Sequence, residues 1–164
     1  MRTTDTQTLG MDSEAIPSDA QATAVEQPNG GGLAETPRND HFIVEHGQCF
    51  AGRHLIVDLW QARDIDDIEH VRATMRRATA AAGATLLHTH FHHFTPNGGV
   101  TGVAMLAESH ISIHSWPERG YAALDVFMCG DSDPDRAIEV LRAGFQPGEV
   151  EVREHKRGRV LPEG

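Results

Sequence analysis

The sequence predicts an α+β fold, a two-layer sandwich with a mainly antiparallel sheet and helices on one face. Three observations predict it. Alternating apolar runs recur from Gly52 onward, the mark of strands with one buried face. Two segments instead repeat their apolar residues at three- and four-residue steps, as helices do. The resulting order is β-α-β-β-β-β-α-β, for which an antiparallel sheet carrying its helices on one side is the economical layout.

Residues 1–45 read as a disordered acidic, polar tail, and residues 46–164 as one domain. The stretch up to Phe50 holds eight acidic residues against two arginines, so it carries −6 of the formal net charge of −10. Order begins at "RHLIVDLW", a strand rich in branched apolar residues. Asp64 to Ala82 reads as a helix, with Ile65, Ile68, Val71, Met75 and Ala78 on one stripe. Asp64, Asp66 and Asp67 suit its positive N-terminal end, and Gly83 is its stop. "TLLHTHFHHF" is the next strand, followed by the turn Asn97-Gly98-Gly99. "VTGVAMLA", "HISIHSW" and "YAALDVFM" are three more. Ser132 opens a second helix, with Asp135 as capping partner, that runs to Arg142 and stops at Gly144. "EVEVREH" is the last strand.

The acidity argues against binding nucleic acid or an anionic membrane by general electrostatics. No apolar run approaches a membrane span, and "MRTTDTQTLG" lacks the apolar core of a signal peptide. The expected compartment is therefore the cytoplasm. Cys49 and Cys129 are the two cysteines, too few for a disulfide framework.

The histidines admit two readings. His88, His90 and His92 share one strand face and could ligate a metal, although no carboxylate or cysteine nearby in sequence completes a shell. A non-catalytic or metal-binding module is therefore one reading; the site set favoured here includes no metal. His110 and His114 flank the other cluster, around Ser109. No Gly-x-Ser-x-Gly elbow accompanies them. In a regular strand Ser109 and His114 point to opposite faces, so they meet only if the chain bends near Glu108–His110.

Six segments decide between such readings. "GRHLIVDLW", "AGAT", "FHHF", "GGVTGV", "AESHISIHSWPERGYAALDVFMCGD" and "EHKRGR" occur in this order. Together they resemble the short, bacterial, pyruvoyl-dependent S-adenosylmethionine decarboxylase proenzymes, over the whole chain from about Gly52. The resemblance implies self-cleavage between Glu108 and Ser109, giving a β chain of 1–108 and an α chain of 109–164. Ser109 would become the pyruvoyl cofactor, whose ketone takes the substrate amine as a Schiff base and accepts the electrons released with CO₂. His114 would transfer protons during processing, assisted by Thr101, where serine is familiar. Cys129 would be the proton donor in turnover. Phe94, Trp116 and Glu118 would bind substrate, with Phe94 against adenine and Glu118 on the ribose hydroxyls. Ser115 and Arg119 depart from the familiar threonine and tyrosine, and a cation at Arg119 could retune Glu118. Family members pair as two-fold dimers, so a homodimer of processed protomers is expected. The implied activity supplies decarboxylated S-adenosylmethionine for spermidine biosynthesis. The same fold and pyruvoyl chemistry acting on ornithine or arginine is the alternative.

Overall fold

The structure is a computed structural model that describes residues 41–160. The expected polar tail lies outside the described residues as far as residue 40. Its expected end at residue 45 falls inside a hairpin. Strands β1 (Ile43–Glu45) and β2 (Gln48–Phe50) pair antiparallel through His46 and Gly47. Both of these turn residues have positive φ, 49° and 74°, as the two-residue turn that matches strand twist requires.

Six strands make the main sheet: β3 (Gly52–Trp60), β4 (Leu86–His93), β5 (Val100–Leu106), β6 (Ser109–Trp116), β7 (Tyr121–Met128) and β8 (Glu149–Arg157). Their spatial order is β4-β5-β6-β7-β3-β8, and every neighbouring pair is antiparallel. The hairpin-linked run β4 to β7 places β6, with its Ser109, in the interior of the sheet.

Helices α1 (Ile68–Ala81) and α2 (Pro134–Phe145) pack together on one face. Leu55, Val57 and Leu59 of β3 and Ile111 and Ile113 of β6 point toward them and are at most 1% exposed. Val71 and Met75 of α1 and Leu141 and Phe145 of α2 meet them, fully buried. The alternate strand residues, among them His54, His110, Ser112 and His114, lie on the face that carries no helix.

Both helices start later than the sequence suggests. Asp67, not Asp64, caps α1, accepting the N–H groups of Glu69 and His70 at 2.9 and 3.1 Å. Ile65 is buried in the loop before it. Asp133, not Ser132, caps α2 by accepting the Asp135 N–H at 3.0 Å, with Pro134 at the first helical position. Gly144 is not a stop: α2 continues past it to Phe145 and ends at Gln146, φ 43°. A Cβ on Gly144 would lie 2.4 Å from Thr74 Cγ2, so glycine serves the close approach of α2 to α1. Gly83, at φ 72°, does follow the end of α1. No helix among the described residues is long and apolar enough to cross a membrane.

Candidate active site

Two groups of functional side chains form, at opposite ends of β6. The first gathers around Ser109. Leu106 pairs with Ser109 across a tight turn whose Glu108 has φ 60°, the left-handed region that tight turns commonly use. Cys129 lies just beyond the end of β7, beside the start of β6. Its N–H donates to Ser109 Oγ at 3.2 Å, and its Sγ is 3.3 Å from the same hydroxyl. Cys129 Sγ also donates to the carbonyl oxygen of Glu108 at 2.7 Å. The thiol has one proton, and Glu108 takes it, so the Ser109 hydroxyl is the donor toward sulfur.

The second group is a pocket of about 180 Å³ lined by Phe94, Asn97, Gly99, Thr101, His114, Ser115, Trp116 and Glu118. Thr101 pairs with His114 across the β5–β6 ladder, which brings Thr101 Oγ1 to 3.0 Å from His114 Nδ1. The Ser115 hydroxyl fixes the floor. It accepts from the Val100 N–H at 2.8 Å and donates to the Ile65 carbonyl at 2.7 Å. Trp116 stacks on Tyr121, which stacks on Trp60, with ring centroids 5.3 and 4.3 Å apart. Phe94 meets the His92 ring edge-on at 4.6 Å. Glu118 sits on the 3₁₀ turn Pro117–Arg119. Arg119 instead lines a neighbouring hollow with Trp60, Trp116 and Tyr121, and forms no ion pair with Glu118 among the described residues.

The two groups do not meet within one chain. The β5–β6 ladder is regular from Ser109 to His114, so the bend that could have joined them is absent. Five residues of strand separate them by roughly 17 Å. Ser109 lies against Cys129 and Thr101 against His114, but in different places.

On the helix-free face, Asp125 joins the two ends of a polar cluster. It accepts from Ser112 Oγ at 3.2 Å and pairs with His54 Nε2 at 3.1 Å. Arg157 donates to His54 Nδ1 at 3.1 Å. Burial holds His110 below the usual imidazole range, with His54 adding to the effect and Asp125 opposing it. Tyr121 donates to Asp58, and its phenol is pushed up to about 12 by burial and by that bond.

The histidines of β4 form no metal nest. His88, His90 and His92 share a face, pair with Met105, Val103 and Thr101, and are exposed. No group of three His, Cys, Asp or Glu side chains among the described residues is placed to hold a metal ion. Cys49 and Cys129 are both free thiols.

The family model for S-adenosylmethionine decarboxylase matches residues 53–158, which contain both groups. The chain belongs to the S-adenosylmethionine decarboxylase family. It is 48% identical over 111 residues to the S-adenosylmethionine decarboxylase proenzyme of Thermomicrobium roseum, covering 67% of this chain and 96% of that one. It is 49% identical over 110 residues to the proenzyme of Methanococcus vannielii, covering 65% and 89%. The crystal structure of the adenosylmethionine decarboxylase from Aquifex aeolicus superposes with a TM-score of 0.61 at 36% identity, over 70% of this chain and 97% of that one.

Within the decarboxylase family match, sequence reasoning missed the Cys129–Glu108 contact and the pocket walls Asn97 and Gly99. A thiol–carbonyl contact leaves no sequence signal. Gly99 had one: it reads as a turn residue, yet a Cβ there would come within 2.9 Å of the Ser115 carbonyl. The β1–β2 hairpin precedes the family match altogether.

Proposed function

We propose that this chain is a self-processing, pyruvoyl-dependent decarboxylase of S-adenosyl-L-methionine that acts in the cytoplasm as a homodimer. The observation that carries the reading is the hydrogen-bonded run from Ser109 Oγ through Cys129 Sγ to the Glu108 carbonyl. That run connects a nucleophile to the bond it must attack. Ser109 Oγ adds to the Glu108 carbonyl carbon while Cys129 Sγ–H stabilises the developing oxyanion. The C–N bond to Ser109 breaks, the hydroxyl proton ends on the freed amine, and an ester remains. Loss of the Ser109 Cα proton then expels Glu108 as a carboxylate by breaking the Cβ–Oγ bond. Water converts the dehydroalanine left behind to a pyruvoyl group and ammonia.

The residues present fit that group, because it is made from Ser109 itself and Cys129 already lies within hydrogen-bond distance of the Ser109 hydroxyl. The pyruvoyl ketone supplies the electron sink for the pair released with CO₂. Cys129 holds the proton that must reach the substrate carbon. Phe94 and Trp116 offer aromatic faces to adenine, and the Glu118 carboxylate offers two acceptors to the ribose diol.

A second copy of the chain completes the site. A pocket of about 180 Å³ is smaller than the roughly 300 Å³ or more that encloses a ligand of drug size. Its proton-transfer pair, Thr101 and His114, is out of reach of its own Ser109. The helix-free sheet face leaves Trp60, Trp116 and Met105 between 42% and 50% exposed, as a face awaiting a partner does. Two-fold pairing of these faces brings the pocket end of one copy to the Ser109 end of the other, and makes two equivalent sites.

Release of CO₂ from S-adenosylmethionine, ornithine, arginine and lysine, each supplied alone, tests the substrate. The expected result is release from S-adenosylmethionine, lost in Ser109→Ala and weakened about tenfold in Glu118→Ala. Release from ornithine or arginine alone overturns the specificity and leaves the pyruvoyl chemistry standing.

A further inference from the structure

The β1–β2 hairpin lies outside the family match, which begins at residue 53, yet it is firmly seated. Phe50 is fully buried under the Lys156 ammonium, 4.6 Å above its ring. Lys156 donates to Glu45 at 2.7 Å, and the Val160 N–H donates to the Cys49 carbonyl at 2.8 Å. The segment leading into this anchored hairpin runs to the cleavage junction. There the His41 carbonyl accepts the Gly130 N–H at 2.9 Å, and His41 Nε2 lies 3.5 Å from Glu108 Oε1. A Cβ on Gly130 would touch the His41 ring at 3.4 Å. One residue from outside the matched domain thus contacts the neighbour of Cys129 through its backbone and the side chain of Glu108 through its imidazole.

We propose that residues 41–50 form a processing clasp, in which His41 is a positioning residue that holds Glu108 for attack by Ser109. The proposal rests on the reading that the chain cleaves itself at Glu108–Ser109. Its physical basis is the left-handed backbone of Glu108, φ 60°. The two-residue β5–β6 turn sets that backbone, and two side-chain contacts fix how residue 108 is presented to Ser109. Cys129 holds its carbonyl and His41 its carboxylate. Without the imidazole, residue 108 is held less firmly and its carbonyl carbon spends less time in line with Ser109 Oγ. His41 travels with the 1–108 fragment and Gly130 with the 109–164 fragment, so the clasp also bridges the two products.

The test follows loss of full-length chain on denaturing gels for the wild type, His41→Ala, His41→Gln, Glu108→Ala and the double variant His41→Ala/Glu108→Ala. His41→Ala is expected to slow cleavage about three- to fivefold, the scale of a half-exposed charge-assisted contact. His41→Gln keeps an N–H donor and is expected to cleave within about twofold of wild type. In the Glu108→Ala background, removing His41 is expected to change nothing further. Equal rates for wild type and His41→Ala overturn the clasp while leaving the cleavage reading intact. So does a His41→Gln chain as slow as His41→Ala, or an equal slowing in both Glu108 backgrounds, since each assigns the effect to hairpin packing. A wild-type chain that stays whole overturns the Ser109 reading, and the clasp with it.

Discussion

A site shared between two copies makes a quantitative prediction for mixtures of damaged chains. Ser109 and His114 stand five residues apart on one regular strand. The roughly 17 Å between them is several times the ~3 Å over which a proton passes between hydrogen-bonded atoms. If His114 assists cleavage, it assists the Ser109 of another copy. Ser109→Ala chains alone should stay whole, and His114→Ala chains alone should cleave slowly. Co-expressed in equal amounts, the two should pair at random, so about half of all dimers are mixed. Each mixed dimer has one undamaged site, built from the Ser109 of the His114→Ala chain and the His114 of the Ser109→Ala chain. Its other site carries both defects. About half of the His114→Ala chains, a quarter of all chains, should therefore cleave at the wild-type rate.

The assay is denaturing mass spectrometry of co-purified chains carrying tags of different size. A fast phase confined to the His114→Ala chain, with that amplitude, is the expected result. Cleavage of the mixture no faster than His114→Ala alone would refute the shared site. It would also require a movement of β6 that the regular β5–β6 ladder gives no reason to expect.

Cys129→Ala loses the donor to the Glu108 carbonyl and, on the proposed mechanism, the acid of turnover. We expect self-cleavage slowed about ten- to a hundredfold by the oxyanion term, read as the rate of fragment appearance. Gly102→Ala would place a Cβ 1.9 Å from Phe91 Cδ1, an overpacking expected to cost about 1–3 kcal/mol in chemical denaturation. The phenol of Tyr121 is pushed up to about 12, by burial first and then by its bond to Asp58. Its contribution to stability is whole below the ordinary value of 10.0 and is lost as pH rises through 12. Ultraviolet titration should show this late ionisation, and Asp58→Asn should bring it back toward 10.0.

Alternation was enough to find all six strands of the main sheet: the four inner strands each bury one face under the helices, and the edge strands β4 and β8 keep an alternating sequence although few or none of their residues are buried. The parity of Ser109 and His114 was also legible, and it already contained the separation of the two halves of the site. Acidic residues misled at the helix starts. Any of Asp64, Asp66 and Asp67 satisfies the helix dipole, but only the Asp67 side chain reaches free N–H groups. Gly144 misled because a glycine near a helix end suits a stop as well as a close contact, and only Thr74 distinguishes them. The hairpin was hidden in a polar stretch. Its two strands have three residues each, too short for a period, and its turn is His-Gly rather than the stronger Asn-Gly signal. The pairing of Ser109 with Cys129 joins positions twenty residues apart through strand register. Family resemblance suggested both residues, but their contact needed the sheet.

The most direct test of self-cleavage is the intact mass of the purified wild-type protein under denaturing conditions. Two fragments split between Glu108 and Ser109 are expected, the second beginning with a blocked, carbonyl-reactive terminus. Ser109→Ala should remain a single chain. A wild-type protein that stays whole after prolonged incubation, or one that splits at another bond, would contradict the account.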